Sequence, residues 1–415
     1  MPSHLIGLLL GTEEDWPTAF EEVMRRLGSI RWRGETHELP VERIYNEPFD
    51  LRYRPRYSLV IDRLSWWYEL PRAWLKKISL MDDVYLLNNP FTFQAMEKHS
   101  AYCAMLRLGL RVPETWMIPH KVPPGGGKWP AVEARFEQVA AKYNLAFDLD
   151  AIAQRIGYPL FMKPFDGGMW VGVTRIGSQS ELHAVYDASG ERLMHLQKAV
   201  DDFDVFTRTL SIGPESMVMK YDPDRPMHER YQVEHDVLDA TLGREAVTTS
   251  LLVNAFFRWE FNSSEVIVKD GVAYPIDYAN ASPDVALTSL HYYFPWAIGA
   301  LVRWCSFCAV TRRRMRINQN TRDYFDVGDR DDLSFADKLE QYRRLAEDYF
   351  QTEAYEDFVG DALAGLDGLL LDYFGSGEFD RLLVETVTTT FPPHEHEEMV
   401  ARYRGLLGLW VRDRV

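Results

Sequence analysis

The chain is poor in cysteine: 415 residues carry only Cys103, Cys305 and Cys308. So few thiols do not staple a chain of this length, and they point to a reducing, cytoplasmic setting. A secretory start is lacking too. MPSHLIGLLLGTEEDW has a short apolar core with no basic segment before it, so no signal peptide is expected. No apolar run approaches the roughly 18 residues that a membrane span needs, so no transmembrane helix is expected. Basic charge is in deficit. Lys+Arg 46 against Asp+Glu 62 leaves −16, which argues against nucleic-acid partners, whose phosphates would be repelled. Internal repeats and low-complexity tracts are absent. What remains is ordinary globular composition, 46% hydrophobic and 26% charged, with length for two or three structural units.

The acidity is uneven. From Asp331 to Val415 there are 19 acidic and 8 basic residues, so the tail supplies most of the excess. Its periodicity is helical, broken by Gly-Ser-Gly at 375–377 and Pro-Pro at 392–393. It reads as a solvated appendage serving as a cover for the core, a dimer contact or a partner surface, and composition does not choose among these. Upstream, apolar runs at 5–10, 57–61 and 84–87 predict strands, with helices over 16–27 and 66–80 between them. That alternation is the pattern of an open α/β unit. Asn89 followed by Pro90 predicts a helix running from there to about Leu108. Residues 119–130 read as a loop. Arg52, Arg54 and Arg56 alternate, so on a strand they would share one face, as a carboxylate-binding row or a solvated basic edge.

Three motif-like stretches fail on chemistry. Gly127-Lys128 lacks the upstream Gly and the following Ser/Thr of a phosphate loop. Cys305-x-x-Cys308 has no second ligand pair for zinc and reads as two buried helical cysteines. His394-Glu-His396-Glu-Glu lacks an i, i+4 histidine pair and reads as a solvated acidic helix start. Arg312, Arg313, Arg314 and Arg316 read as a solvated helix end.

Three other segments carry chemistry. In GYPLFMKPFDGGMWVGV, Lys163 lies in an apolar strand just before a glycine-rich turn. A buried lysine is costly unless it meets an anion, and bare backbone N–H groups at Gly167 and Gly168 approach phosphate oxygens closely. Alone, the segment is equally a hairpin with a snorkelling lysine. In YLLNNPFTFQAMEK, a strand and a loop lead into a helix bearing Lys98, and a helix with one solvated lysine is as good a reading. In SSEVIVKDGVAYPIDYANASPD, Asp270-Gly271 between apolar runs predicts a hairpin with Glu265 and Asp277 on adjacent strands. A strict two-residue turn would leave those carboxylates one step out of register. A longer turn or a bulge would set them opposite on one face. With the Asn280 carbonyl oxygen they make hard donors suited to Mg²⁺, and the alternative is an acidic hairpin edge.

In this order the segments resemble the ATP-grasp superfamily, nearest to its carboxylate–amine ligase branch, which includes glutathione synthetase and D-alanine–D-alanine ligase. The resemblance spans about residues 84–300. It implies an ATP-grasp α/β fold with an N-terminal open α/β domain (1–88), an ATP-grasp domain (89–320) and a helical C-terminal extension (321–415). Within the ATP-grasp domain it implies a lid at about 120–197 and a metal-binding part at about 198–320. It further implies ATP and the family's metal chemistry, two Mg²⁺ or else Mn²⁺. Lys98 and Lys163 would contact the α/β-phosphates, and Gly167 and Gly168 would lie in a closing loop. Gln197, Lys198 and Val200 would meet the adenine edge, and Asp204 the ribose. Glu265, Asp277 and Asn280 would hold metal, although the usual E-x-N is here Asp-Tyr-Ala-Asn. Arg230, with Arg225 second, would stabilise an acylphosphate, Lys163 assisting, and His228 would serve proton transfer. The implied activity joins a small-molecule carboxylate to an amine with release of ADP and phosphate. A phosphotransferase acting on a hydroxyl and a nucleotide-binding module without turnover are the other readings. Relatives are often homodimers.

Overall fold

The computed structural model describes residues 1–45, 47–92, 97–122, 147–168, 170–280 and 282–414. The Gly127-Lys128 pair and most of the expected 119–130 loop lie outside them. The fold is mixed α/β with a helical C-terminal region. Contacts divide the chain into two compact units that are discontinuous in sequence: Met1–Phe93, Phe206–Ser264 and Asn280–Val415 form one, Gln94–Val205 and Glu265–Ala279 the other. The resemblance implies domains at 1–88, 89–320 and 321–415.

The first unit opens with a parallel sheet in the order Val41–Arg43, Leu5–Leu9, Tyr57–Asp62, Tyr85–Leu87. Leu5–Leu9 and Tyr85–Leu87 are apolar and largely buried because helices cover the sheet, while Val41–Arg43 at its edge carries Glu42 and Arg43 and is half-buried. Leu9, Val60, Leu75, Ile78, Val84 and Leu86 close one side of this core. The helix Asp15–Leu27 buries Trp16, Ala19, Phe20, Val23 and Met24 at helical spacing. The arginine row is a correction: residues 52–56 form a turn and coil, not a strand, and Pro55 interrupts them. Arg56 pairs with Glu42.

The tail is also corrected. It is no solvated appendage but part of the first unit, and of the three uses open to it the structure shows a cover. Helices Phe335–Phe350, Thr352–Ala362, Leu366–Phe374 and His396–Arg412 bury Phe350, Tyr355, Phe374 and Trp410. Phe350 and Tyr355 meet Trp304 on the helix Phe294–Val310 at 5.9 and 5.6 Å between ring centres, Phe374 meets Phe294 at 6.0 Å, and Trp410 packs on Phe374 at 5.7 Å. The acidic excess stays on the outer faces, where pairs such as Arg404–Asp380 (2.6 Å) form. The stretch Leu287–Val310 is long and apolar enough by composition to cross a membrane, which the expectation above missed, but 89% of that window is buried inside the protein. It is the core helix on which the tail packs. Cys305 and Cys308 are buried on it, as expected.

The second unit is built on an antiparallel sheet in the order Thr115–Ile118, Met194–Lys198, Leu160–Pro164, Thr174–Ile176. Helices Leu149–Ile156 and Gln179–Ser189 cover one face. Asp148 and Ser178 cap them by accepting from the N–H groups of Ala151 and Glu181. The core beneath holds Ile118, Leu160, Met162, Leu182 and Leu196. Alternation along Leu160–Pro164 sends Met162 toward the helices, and that leaves Lys163 for the opposite face.

Candidate nucleotide and metal site

The helix carrying Lys98 begins at that residue, spanning Lys98–Arg107, rather than at Asn89. Asn89 is buried, and its Oδ1 accepts from the Phe91 N–H at 3.0 Å in a local turn. Asn88 acts as a clasp within the first unit: its side chain bonds the Glu260 and Phe261 N–H groups (2.6 and 2.7 Å) and the Phe261 carbonyl (2.7 Å). Local polar chemistry thus competes with the helix at 89–92. The later start puts Lys98 where it matters. Its backbone N–H donates to the Phe165 carbonyl (3.1 Å), tying the helix to the strand end that carries Lys163.

Both lysines are buried, each about 8% exposed. Lys98 Nζ lies 3.2 Å from Asp277 Oδ2 and donates to the Gly167 carbonyl at 3.1 Å. Burial works against this cation, but Asp277, Glu265 and Asp166 outweigh it and hold the Lys98 pKa above the ordinary lysine value. Lys163 Nζ donates to Gln197 Oε1 at 2.6 Å. Here burial dominates and Lys98 adds repulsion, so the pKa falls to about 8 in spite of Asp277 and Glu265.

The carboxylates come from the predicted hairpin. Asp270 and Gly271 both adopt positive φ (51° and 71°), the two-residue turn that a hairpin's twist favours. Lys269 pairs with Val272, and the register continues to Val266 opposite Pro275. The irregularity then falls between Glu265 and Val266, so Ile276 is the extra residue and Glu265 stands directly opposite Asp277. Pro275 has no N–H to offer the ladder, which favours a break there. Tyr102 secures the bulge by donating its hydroxyl to the Ile276 carbonyl at 2.8 Å. Glu265 is buried and Asp277 partly exposed. Two hard oxygen donors face one another, and the Lys98 ammonium already holds the place of a cation beside one of them. This donor set fits Mg²⁺.

The glycine-rich turn follows Lys163. Gly167 (φ 104°) takes a conformation that side chains avoid, and the Asp166–Gly168 backbone is exposed. Gln197 is buried, with its Nε2 donating to Thr115 Oγ1 at 2.8 Å, so both ends of its amide are engaged and it orients Lys163. Lys198 is exposed at the strand end, and Val200 follows it. Asp204 is exposed and its Oδ2 accepts from the Asp270 N–H at 2.8 Å, tying it to the hairpin turn.

The remaining expected residues belong to the first unit. Asn280 bonds through its N–H to Asn262 Oδ1 (2.6 Å) and through Nδ2 to Ser263 Oγ (3.5 Å). Arg230 donates from Nε to the Arg225 carbonyl (3.1 Å), and Arg225 pairs with Asp222 (3.1 Å). His228 packs edge-on to Phe391 at 5.4 Å. Among the described residues there is no group of three or more His, Cys, Asp or Glu poised to hold a metal, the 394–398 stretch included.

Sequence reasoning missed an aromatic cluster beside the lysines. His195 lies opposite Lys163 in register, stacks on His99 (5.6 Å, 17°) and meets Tyr102 edge-on at 5.6 Å. Burial, then His99 and the two lysines, lower its pKa to about 4, so it is neutral at pH 7. The signal was in the alternation of MHLQK, which puts His195 and Gln197 on one face.

No family model and no curated protein matches the chain. Solved structures similar to it include a RimK-domain ATP-grasp protein from Sphaerobacter thermophilus, at 14% identity and TM-score 0.47, covering 72% of this chain and 98% of that one. A D-alanine–D-alanine ligase from Bacillus anthracis complexed with ATP follows at 12% identity and TM-score 0.47, covering 85% and 99%. VanG D-Ala:D-Ser ligase from Enterococcus faecalis matches at 13% identity and TM-score 0.44, covering 83% and 100%.

Proposed function

We propose that the chain is an ATP-grasp ligase that activates a small-molecule carboxylate as an acylphosphate and joins it to an amine, releasing ADP and phosphate. One observation carries this reading: two buried lysines beside a glycine-rich turn face a register-matched pair of carboxylates. Buried cations of this kind call for an anion, and a phosphate chain supplies one. Lys98 and Lys163 neutralise charge on the phosphates, with Gln197 holding Lys163 in line. The exposed N–H groups at Gly167 and Gly168 cradle the phosphate oxygens. Lys198 and Val200 border the adenine, while Gln197 serves the lysine rather than the base. Glu265 and Asp277 hold the Mg²⁺, which when bound supplies charge neutralisation on the phosphates. Closure of the turn excludes water from the acylphosphate. The three unpaired cysteines accord with a cytoplasmic setting.

The test is incubation with ATP, Mg²⁺ and a panel of amino acids and small peptides, following phosphate release and product mass. Phosphate together with a condensed product supports ligation. A product heavier by one phosphoryl group, without free phosphate, identifies a phosphotransferase instead. Nucleotide binding with no turnover across the panel identifies a binding module.

A further inference from the structure

A cavity of about 610 Å³ in the first unit is lined by Arg33, Arg312, Arg313, Arg314 and Arg316, with Asp357 as its one acidic residue. Trp32, Phe307 and Val310 supply apolar wall. Such a concentration of guanidinium groups is unexpected in a chain with a net charge of −16. The five arginines differ in state. Arg313 is buried and pairs with Glu260 at 3.4 Å, so its charge is answered from within the protein. Arg33, Arg312, Arg314 and Arg316 are exposed and, among the described residues, form no ion pair.

The backbone holds two of these side chains at unusual positions. Arg33 (φ 49°) and Gly34 (φ 84°) make the two-residue turn between Ser29–Trp32 and Glu35–Glu38. The first place in that turn favours Asn, Asp or Gly. Arg312 (φ 51°) stands just past the helix Phe294–Val310, where the Arg313 N–H donates to Cys308 O at 2.9 Å and the Arg312 N–H to Ala309 O at 3.3 Å. That is the helix-ending arrangement in which glycine is the usual occupant. Arginine at both positions sacrifices local stability, and both side chains border the same concavity.

We propose that this cavity binds a small, multiply charged phosphate group, a phosphate ester or polyphosphate, through Arg33, Arg312, Arg314 and Arg316. Guanidinium forks match phosphate oxygens in pairs, and the volume suits a metabolite-sized ligand. The net negative charge of the chain disfavours an extended polyanion such as RNA. None of these residues belongs to the proposed nucleotide site, so the inference stands apart from the ligase reading.

Calorimetric titration of the full chain with inorganic pyrophosphate, at low ionic strength and without Mg²⁺, tests it. A saturable site is expected that survives Lys163→Met. Arg312→Ala with Arg316→Ala should weaken it by about tenfold or more, the loss expected when charge-assisted hydrogen bonds are removed. Asp357→Asn should tighten it about threefold by removing the one like charge, a gain that damage to the fold does not mimic. Loss of the site in Lys163→Met but not in the arginine variant would assign the ion to the nucleotide residues and overturn the proposal. Binding of single-stranded RNA without pyrophosphate would overturn it as well.

Discussion

Replacing Lys163 with Met separates the phosphate clamp from the fold. Methionine keeps the length and apolar stem of the side chain and removes only the ammonium. That ammonium is buried, and its pKa of about 8 against the usual 10.5 means that folding disfavours the cation by on the order of 3 kcal/mol. The folded value lies below the unfolded one. Below about pH 8 both states hold the proton and the fold bears this penalty in full. Between about 8 and 10.5 the unfolded chain keeps a proton that the folded chain has released, so stability rises with pH. Lys163→Met removes the penalty at pH 7 and leaves Gln197 Oε1 without its donor, which costs about 1–3 kcal/mol. The two nearly cancel, so the variant should fold with a melting temperature near that of the parent. Nucleotide binding should behave otherwise. Loss of a buried charge–phosphate contact is worth about 2–5 kcal/mol, or roughly thirtyfold to a few thousandfold in Kd for ADP·Mg²⁺ by calorimetry. In the parent, affinity should fall as pH rises through about 8, and in the variant this dependence should flatten. A folded Lys163→Met chain with ADP affinity within about twofold of the parent would refute the assignment.

Asp277→Asn should abolish the Mg²⁺ dependence of ADP affinity, as read from titrations with and without chelator; equal Mg²⁺ responses in both chains would remove Asp277 from the metal shell. Glu260→Gln should destabilise the chain by about 3–5 kcal/mol in denaturant unfolding, because it leaves the buried Arg313 cation without its carboxylate. Gly213→Ala should cost on the order of 2 kcal/mol or more, since Gly213 sits at φ 56° and a Cβ there would press within 2.8 Å of the Trp304 indole; an unchanged melting temperature would show that the indole moves aside.

Features set by local chemistry were legible in the chain. Apolar runs announced the parallel strands, and Asp270-Gly271 announced the hairpin. The register of Glu265 and Asp277 was legible only as a choice, because a bulge depends on the ladder as a whole. The two-residue turn and the extra residue Ile276 occur together, and Tyr102 from a distant helix stabilises the result. The start at Lys98 was hidden for a related reason. Asn89-Pro90 is a good capping pair, but the Asn89 side chain closes its own turn, while Asn88 reaches partners more than 170 positions away.

The tail shows why charge alone misleads about burial. Its excess of acidic residues suggested a solvated appendage, yet the aromatics between them form a stripe that the helix Phe294–Val310 needs. Apart from Arg303, which pairs with Glu215, that helix is apolar nearly all round, as a core or membrane helix is. With the parallel sheet's helices on one flank, something must cover the rest. Phe350, Tyr355 and Phe374 do so, with Trp410 packed on Phe374. Negative charge on the outer faces then follows from the geometry of an amphipathic cover, and it carries no information about the ligand. The informative charges are the few that run against the trend: Lys98 and Lys163 buried beside two carboxylates, and the exposed arginines around Arg312. In a chain with this balance, a buried ammonium kept at a cost to the fold, as at Lys163, is a stronger pointer to an anion than any count of residues.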